Sequence, residues 1–173
     1  MLIPVQRLFV AVWPSESVVE ELIALPRKPR PGIRWVEPQN WHTTLRFLGD
    51  ADVGEVAAQL DGVNFEPIKV RYGPGVDVLN ERVIIVPVHG LDELASTVNR
   101  ATADLGTDRP RKRFVGHLTL GRLKSRPPVL KAVGMPISAE QRVNAFHLVG
   151  STLRPQGVRY EILESFPATA AHR

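Results

Sequence analysis

Apolar residues recur along this chain in two rhythms, and the switches between them mark its elements. Residues 7–13 are almost continuously apolar after Arg7 and predict a strand that Pro14 ends. Ser15 then precedes Val18, Val19, Leu22 and Leu25, whose three- and four-residue spacing predicts a capped helix with one buried face. Residues 33–36 and 41–48 read as strands on either side of a Glu37-Pro38-Gln39-Asn40 turn. Asp52, with Glu55 three residues on, has the capping-box pattern and begins a second helix that runs to about Leu60. Apolar runs at 68–72, 76–79 and 83–88 predict three more strands, with Gly73-Pro74-Gly75 and Asn80-Glu81 at the turns. Leu91, Leu94, Val98, Ala101 and Leu105 predict a third helix that stops at Gly106. A strand at 114–123 follows, and strands at 143–153 and 160–166 close the chain around Pro155-Gln156-Gly157. Residues 126–140 read as a loop with a short helical piece. Strands and helices mix without regular βαβ alternation, so the expected fold class is α+β with largely antiparallel sheets.

Composition narrows the chemistry. With 173 residues, 43% of them hydrophobic and 23% charged, the chain is expected to be a single domain, 1–173, with a substantial core. No run approaches the roughly 20 apolar residues that span a bilayer, and no basic-then-apolar leader opens the chain, so a cytoplasmic protein is expected. The absence of cysteine excludes disulfides, thiolate nucleophiles and cysteine zinc sites. A net charge of +4 and a pI near 9.8 point to an anionic partner.

Two stretches carry candidate chemistry: Trp41-His42-Thr43-Thr44-Leu45-Arg46-Phe47 and Gly116-His117-Leu118-Thr119-Leu120-Gly121-Arg122. In a strand, a histidine and the threonine two positions later share a face, while the leucine after each threonine turns to the other side. If the two segments face each other, two histidines and two threonines surround one cleft, an arrangement suited to acid–base chemistry on a phosphate. Unperturbed imidazole titrates near pH ~6.5, so one ring can accept a proton while the other donates one. Threonine hydroxyls and Arg122 can hold non-bridging oxygens, and no metal is needed. One such motif alone is as often structural as functional; two with matching flanks favour function.

Simple alternation puts Arg46 on the face of His42 and Thr44. The basic run Arg109-Pro110-Arg111-Lys112-Arg113 reads either as a contact for an RNA backbone or as a solvated loop. Phe9, Trp35, Trp41 and Phe114 are candidates for base stacking, although core packing is the commoner role. His89 and His147 lack a threonine two residues on and read as structural or surface residues. Asp52 is better explained as a helix cap than as part of a metal site with Asp50. No phosphate-binding Gly-rich loop with lysine and no Gly-x-Ser-x-Gly elbow is present, which argues against an ATP-dependent ligase and a serine hydrolase.

The segments Arg7-Leu8-Phe9-Val10-Ala11, 35–49 and 114–122, with Phe146-His147-Leu148-Val149-Gly150-Ser151-Thr152-Leu153 and Gly157-Val158-Arg159-Tyr160 near the end, resemble the 2H phosphoesterases. The match is to their bacterial and archaeal RNA 2′,3′-cyclic phosphodiesterases, historically called 2′-5′ RNA ligases. Nothing in the sequence demands an oligomer, so a monomer is expected. The resemblance implies two pseudo-symmetric lobes with a central cleft and action without a metal or nucleotide cofactor. It implies hydrolysis of the 2′,3′-cyclic phosphate at an RNA end to a 2′-phosphate, with reverse joining by a 2′-5′ bond. His42 corresponds to the proton donor and His117 to the proton acceptor, an order the residues themselves leave open. Thr44, Thr119 and Arg122 correspond to phosphate-binding positions, and Phe9, Arg46, Arg111, Lys112 and Arg113 are candidate RNA contacts. Gly116 departs from the pattern, since many relatives have proline there, and its flexibility is expected to loosen the backbone before His117. Alternatives consistent with the residues are a 2H enzyme acting on another cyclic or oligonucleotide phosphodiester, or an RNA-binding module without turnover.

Overall fold

The structure, a computed structural model, describes residues 5–125 and 131–170. In chain order it contains β1 (Val5–Val12), α1 (Glu16–Ile23), β2 (Ile33–Trp35), β3 (Thr43–Asp52), α2 (Val53–Asp61), β4 (Ile68–Tyr72), β5 (Asp77–Leu79), β6 (Val83–His89), α3 (Asp92–Ala101), β7 (His117–Leu123), β8 (Ala139–Val143), β9 (Ala145–Arg154) and β10 (Gly157–Pro167). The predicted caps form: the Ser15 hydroxyl accepts from the Val18 amide at 3.4 Å, and the Asp52 carboxylate accepts from the Glu55 amide at 2.8 Å. Asp52 therefore serves as a helix cap. No helix among the described residues is long and apolar enough to cross a membrane.

All strand pairings are antiparallel, and the sheet order is β10-β9-β1-β3-β7-β6-β4-β8, with β2 added to β7 and β5 to β6. The two halves of this order, β10-β9-β1-β3 and β7-β6-β4-β8, meet at one residue pair, Thr43 with Leu118. One continuous apolar cluster lies behind both halves. It joins strand residues such as Val10, Leu45, Leu48, Val86 and Leu120 to Val18, Leu22, Val56, Leu60, Leu94 and Val98 of the three helices. Covering one face of the sheet with helices leaves the other face free for a cleft.

Several boundaries differ from the periodic reading. The third helix ends at Ala101 rather than Leu105, where the backbone tightens into a turn with the Leu105 amide donating to the Thr102 carbonyl at 3.1 Å, and side chains add further bonds to the terminal carbonyls. Thr102 donates its hydroxyl to the Val98 carbonyl at 2.8 Å, and the Arg46 guanidinium reaches the carbonyls of Thr102 and Leu105. The motif strand expected from 114 begins at His117. Of the segment 126–140, residues 126–130 lie outside the described residues, while 139–143 forms the strand β8 instead of a loop. Its polar sequence Ala-Glu-Gln-Arg-Val hid the pattern, yet it pairs with β4 from Ile68↔Val143 to Tyr72↔Ala139.

Gly116 proves to be a tight position rather than a loose one. Its carbonyl accepts from the Val88 amide at 2.9 Å, and a Cβ added to it would lie 2.2 Å from the Val88 carbonyl oxygen. Backbone against backbone cannot yield cheaply. Gly116→Ala is expected to cost about 1–3 kcal/mol of stability and to lower activity by shifting His117, measurable by urea denaturation and kcat on the folded variant.

Candidate active site

The pairing of Thr43 with Leu118 puts the two motifs side by side in opposite directions. Carrying that register one residue each way sets Thr44 opposite His117 and His42 opposite Thr119, all four on one face because side chains alternate. Thr43 and Leu118 themselves point to the other side and are fully buried. The two strands diverge beyond this pair, and the cleft opens between them.

Both motif strands then carry the same irregularity. On β3 the partner of β1 skips from Thr44 to Arg46, leaving Leu45 as a bulge; on β7 the partner of β6 skips from Thr119 to Gly121, leaving Leu120 as a bulge. Each bulged leucine stays in the core. The extra residue resets the alternation, so the fifth residue after each histidine returns to the cleft face, not the fourth. Phe47 and Arg122 accordingly line the cleft. This overturns the expected position of Arg46. It is 3% exposed; it borders the larger part of the cleft, but its guanidinium donates to the carbonyls of Phe47, Thr102 and Leu105, where it serves the end of α3.

The two imidazoles are held alike. His42 Nδ1 lies 2.7 Å from the Asn40 carbonyl oxygen, and His117 Nδ1 lies 2.7 Å from that of Val115, in each case two residues back along the chain. A carbonyl only accepts, so each ring must carry its proton on Nδ1 and leave Nε2 for the cleft. Their surroundings differ. His42 packs between Phe9, with ring centres 4.9 Å apart, and Trp13, stacked at 5.2 Å, and Tyr160 meets it edge-on at 5.3 Å. Burial pushes its pKa from 6.5 down to about 4; the Asn40 bond opposes this, while His117 and Arg122 add to it.

Trp13 is itself fixed. Its indole N–H donates to the Gln39 carbonyl at 3.2 Å, and the Gln141 amide of β8 donates to the Trp13 carbonyl at 3.1 Å while accepting from the Ser15 amide at 2.6 Å. Phe9, Ala11 and Val149 form a small apolar cluster on the cleft face, with Trp13 and Tyr160 against it. Phe9 is only 4% exposed, so its ring supports His42 and is not free to stack on a base. Trp41 is likewise fully buried. His89 bonds the Gly73 carbonyl and His147 the Ser165 hydroxyl.

The cleft has two connecting compartments. One, of about 380 Å³, holds His42, Thr44, His117, Thr119 and Arg122 together with Tyr160. The other, of about 620 Å³, shares Thr44, His117 and Arg122 and extends to Arg109, Arg111 and Arg113. Lys112 is exposed but is not among the residues lining either compartment. The sequence reading missed Trp13, Tyr160, Gln141 and the presence of Arg7 in both compartments. A signal existed for two of them, since Arg7, Phe9, Ala11 and Trp13 alternate on one strand face. Nothing in the sequence ties Gln141 to residues 13–15. No group of three potential metal-ligating side chains occurs among the described residues.

A family model described as LigT like phosphoesterase matches residues 12–73. An Archaeoglobus fulgidus protein named RNA 2′,3′-cyclic phosphodiesterase is 34% identical over 92% of this chain and 99% of its own length. One of the same name from Aquifex aeolicus is 34% identical over 94% and 97%. Among solved structures, a Thermus thermophilus protein superposes with a TM-score of 0.80 at 26% identity, covering 96% of this chain and all of the other. Apo E. coli LigT does so with a TM-score of 0.76 at 26% identity, covering 96% and 99%.

The depressed pKa of His42 has a measurable sign. Below pH 6.5 the unfolded chain binds a proton that the folded one refuses down to about pH 4, so folding stability falls across that window as pH is lowered. In His42→Gln this part of the acid destabilisation should vanish. Comparing urea midpoints of wild type and variant at pH ~7 and ~4.5 tests it; equal losses would contradict the desolvated state of the ring.

Proposed function

This chain belongs to the LigT-like phosphoesterases, among the RNA 2′,3′-cyclic phosphodiesterases, and on that premise we propose that it opens the 2′,3′-cyclic phosphate at an RNA end to a 2′-phosphomonoester. The observation that carries the reading is the matched pair of imidazoles, each fixed by its own backbone carbonyl to present Nε2 to one cleft. Water attacks phosphorus and gives a proton to His117 Nε2; the bond from phosphorus to O3′ breaks, and His42 Nε2–H protonates the departing oxygen. Thr44, Thr119 and Arg122 hold the non-bridging oxygens as charge builds on them. With a ribose 5′-hydroxyl in place of water as the nucleophile, the same groups join RNA ends: the P–O5′ bond forms, the P–O3′ bond breaks, and a 2′-5′ linkage remains. We take residues 1–173 as one bilobal unit, a view supported by the apolar cluster that continues behind both halves, and propose that it acts as a monomer in the cytoplasm.

A donor at His42 must hold a proton, which the free ring sheds at about pH 4. The substrate supplies the missing stabilisation. A unit negative charge about 4 Å away, at an effective dielectric constant of about 20, contributes about 4 kcal/mol, or about three pK units. Bound phosphate thus brings His42 to the neutral range, so the acid is armed only when substrate is present.

The protein should release 2′-phosphate from cyclic-ended RNA in the presence of chelator. His42→Ala and His117→Ala should each lower kcat by a factor of about 100 or more while leaving the circular dichroism spectrum unchanged. Unimpaired turnover in the double variant would remove the two-histidine mechanism. Nitrogen NMR of the His42 ring should show its pKa rising by about two to three units when 2′-AMP binds. A ring that stays neutral in the complex would make His42 the base and His117 the acid.

A further inference from the structure

The larger compartment holds more positive charge than one reacting phosphate can use. Arg7, Arg46, Arg109, Arg111, Arg113 and Arg122 line it, against a single carboxylate, Asp108. Arg46 is already engaged by main-chain carbonyls, and the other five face the cavity without such partners among the described residues. The local surplus of five positive charges exceeds the net charge of the whole chain, +4. None of these five arginines forms a salt bridge among the described residues. A cyclic phosphodiester carries one negative charge, and Thr44, Thr119 and Arg122 already surround its place. Arg109 and Arg113 line the larger compartment and not the catalytic one.

These arginines do not hang on an unanchored loop. At its start, the Thr107 amide donates to the Asp50 carbonyl at 3.1 Å and the Asp108 amide to that of Leu48 at 2.9 Å, while the Asp50 amide returns a bond to the Thr107 hydroxyl at 2.9 Å. The loop is therefore tied to β3, the strand that carries Thr44. At its middle, the Arg111 guanidinium sits over the Phe47 ring, 5.7 Å from its centre. Cationic groups preplaced around a cavity of this size repel one another until an anion enters, and a planar guanidinium fits a phosphate through two parallel hydrogen bonds.

We propose that the larger compartment is a second phosphate subsite, occupied by the phosphodiester immediately 5′ of the cyclic end. The preferred substrate class is then an RNA of at least two nucleotides rather than a cyclic mononucleotide. This rests on the cyclic-phosphate reading above and adds to it a reason for the arginine loop.

The test compares kcat/KM for adenosine 2′,3′-cyclic phosphate, its 5′-phosphorylated form, and the diadenosine dinucleotide ending in the cyclic phosphate. Both substrates with a second phosphate should exceed the first by about tenfold or more, and the gain should shrink as salt is raised. In the double variant Arg109→Gln/Arg113→Gln the ratio should collapse toward one. Equal rates on all three substrates, a gain confined to the dinucleotide, or a gain that survives the double variant would each overturn the subsite. Absence of turnover on all three would sink the cyclic-phosphate reading instead. Affinities for adenosine 2′,5′-bisphosphate and adenosine 2′-phosphate then decide the subsite without turnover: about tenfold tighter binding of the bisphosphate supports it, and equal binding overturns it.

Discussion

The two half-sheets touch through one backbone pair, Thr43 with Leu118, and the catalytic geometry depends on that contact. Because the pairing is antiparallel, each histidine faces the other motif's threonine, and the approximate twofold relation of the motifs becomes a twofold relation of the site. Because Thr43 and Leu118 are fully buried, their neighbours on either side are driven to the opposite face. A slip of one residue at this junction would bury the histidines and expose the leucines. The helices behind the sheet hold the register through the shared apolar cluster, so core packing and site geometry are consequences of the same alternation.

Symmetry in the backbone coexists with polarity in the cleft. On the His42 side, Phe9, Trp13 and Tyr160 exclude water and disfavour the imidazolium. Past His117, the wall is made of arginines. An anionic substrate meets a charged approach and a desolvated ring that can be protonated only in its company. The difference between acid and base is thus set by surroundings, since the two rings are bonded alike.

The bulges at Leu45 and Leu120 show how a small departure from regular pairing redistributes roles. In an unbroken strand Arg46 would share the cleft face with Thr44, and Arg122 would turn away from Thr119. One extra residue in each strand sends Arg46 inward to the end of α3 and brings Phe47 and Arg122 outward. The burial of Arg46 is tolerable because main-chain carbonyls of a helix terminus receive it.

Most elements, the two caps and the paired His-x-Thr motifs were legible in the linear pattern, because hydrophobic spacing and capping chemistry act over a few residues. Local sequence therefore determined which residues bear the chemistry and that the two stretches are equivalent. The strand β8 and the role of Gln141 were not legible, since a polar edge strand is recognised only by the partner it pairs with. Nor was the tightness at Gly116, which depends on Val88, distant in the chain. Tertiary structure alone decided which face Arg46 and Arg122 occupy and which histidine is desolvated. Bulges and burial arise from how strands pair and what packs over them, and neither is encoded in the spacing of one strand.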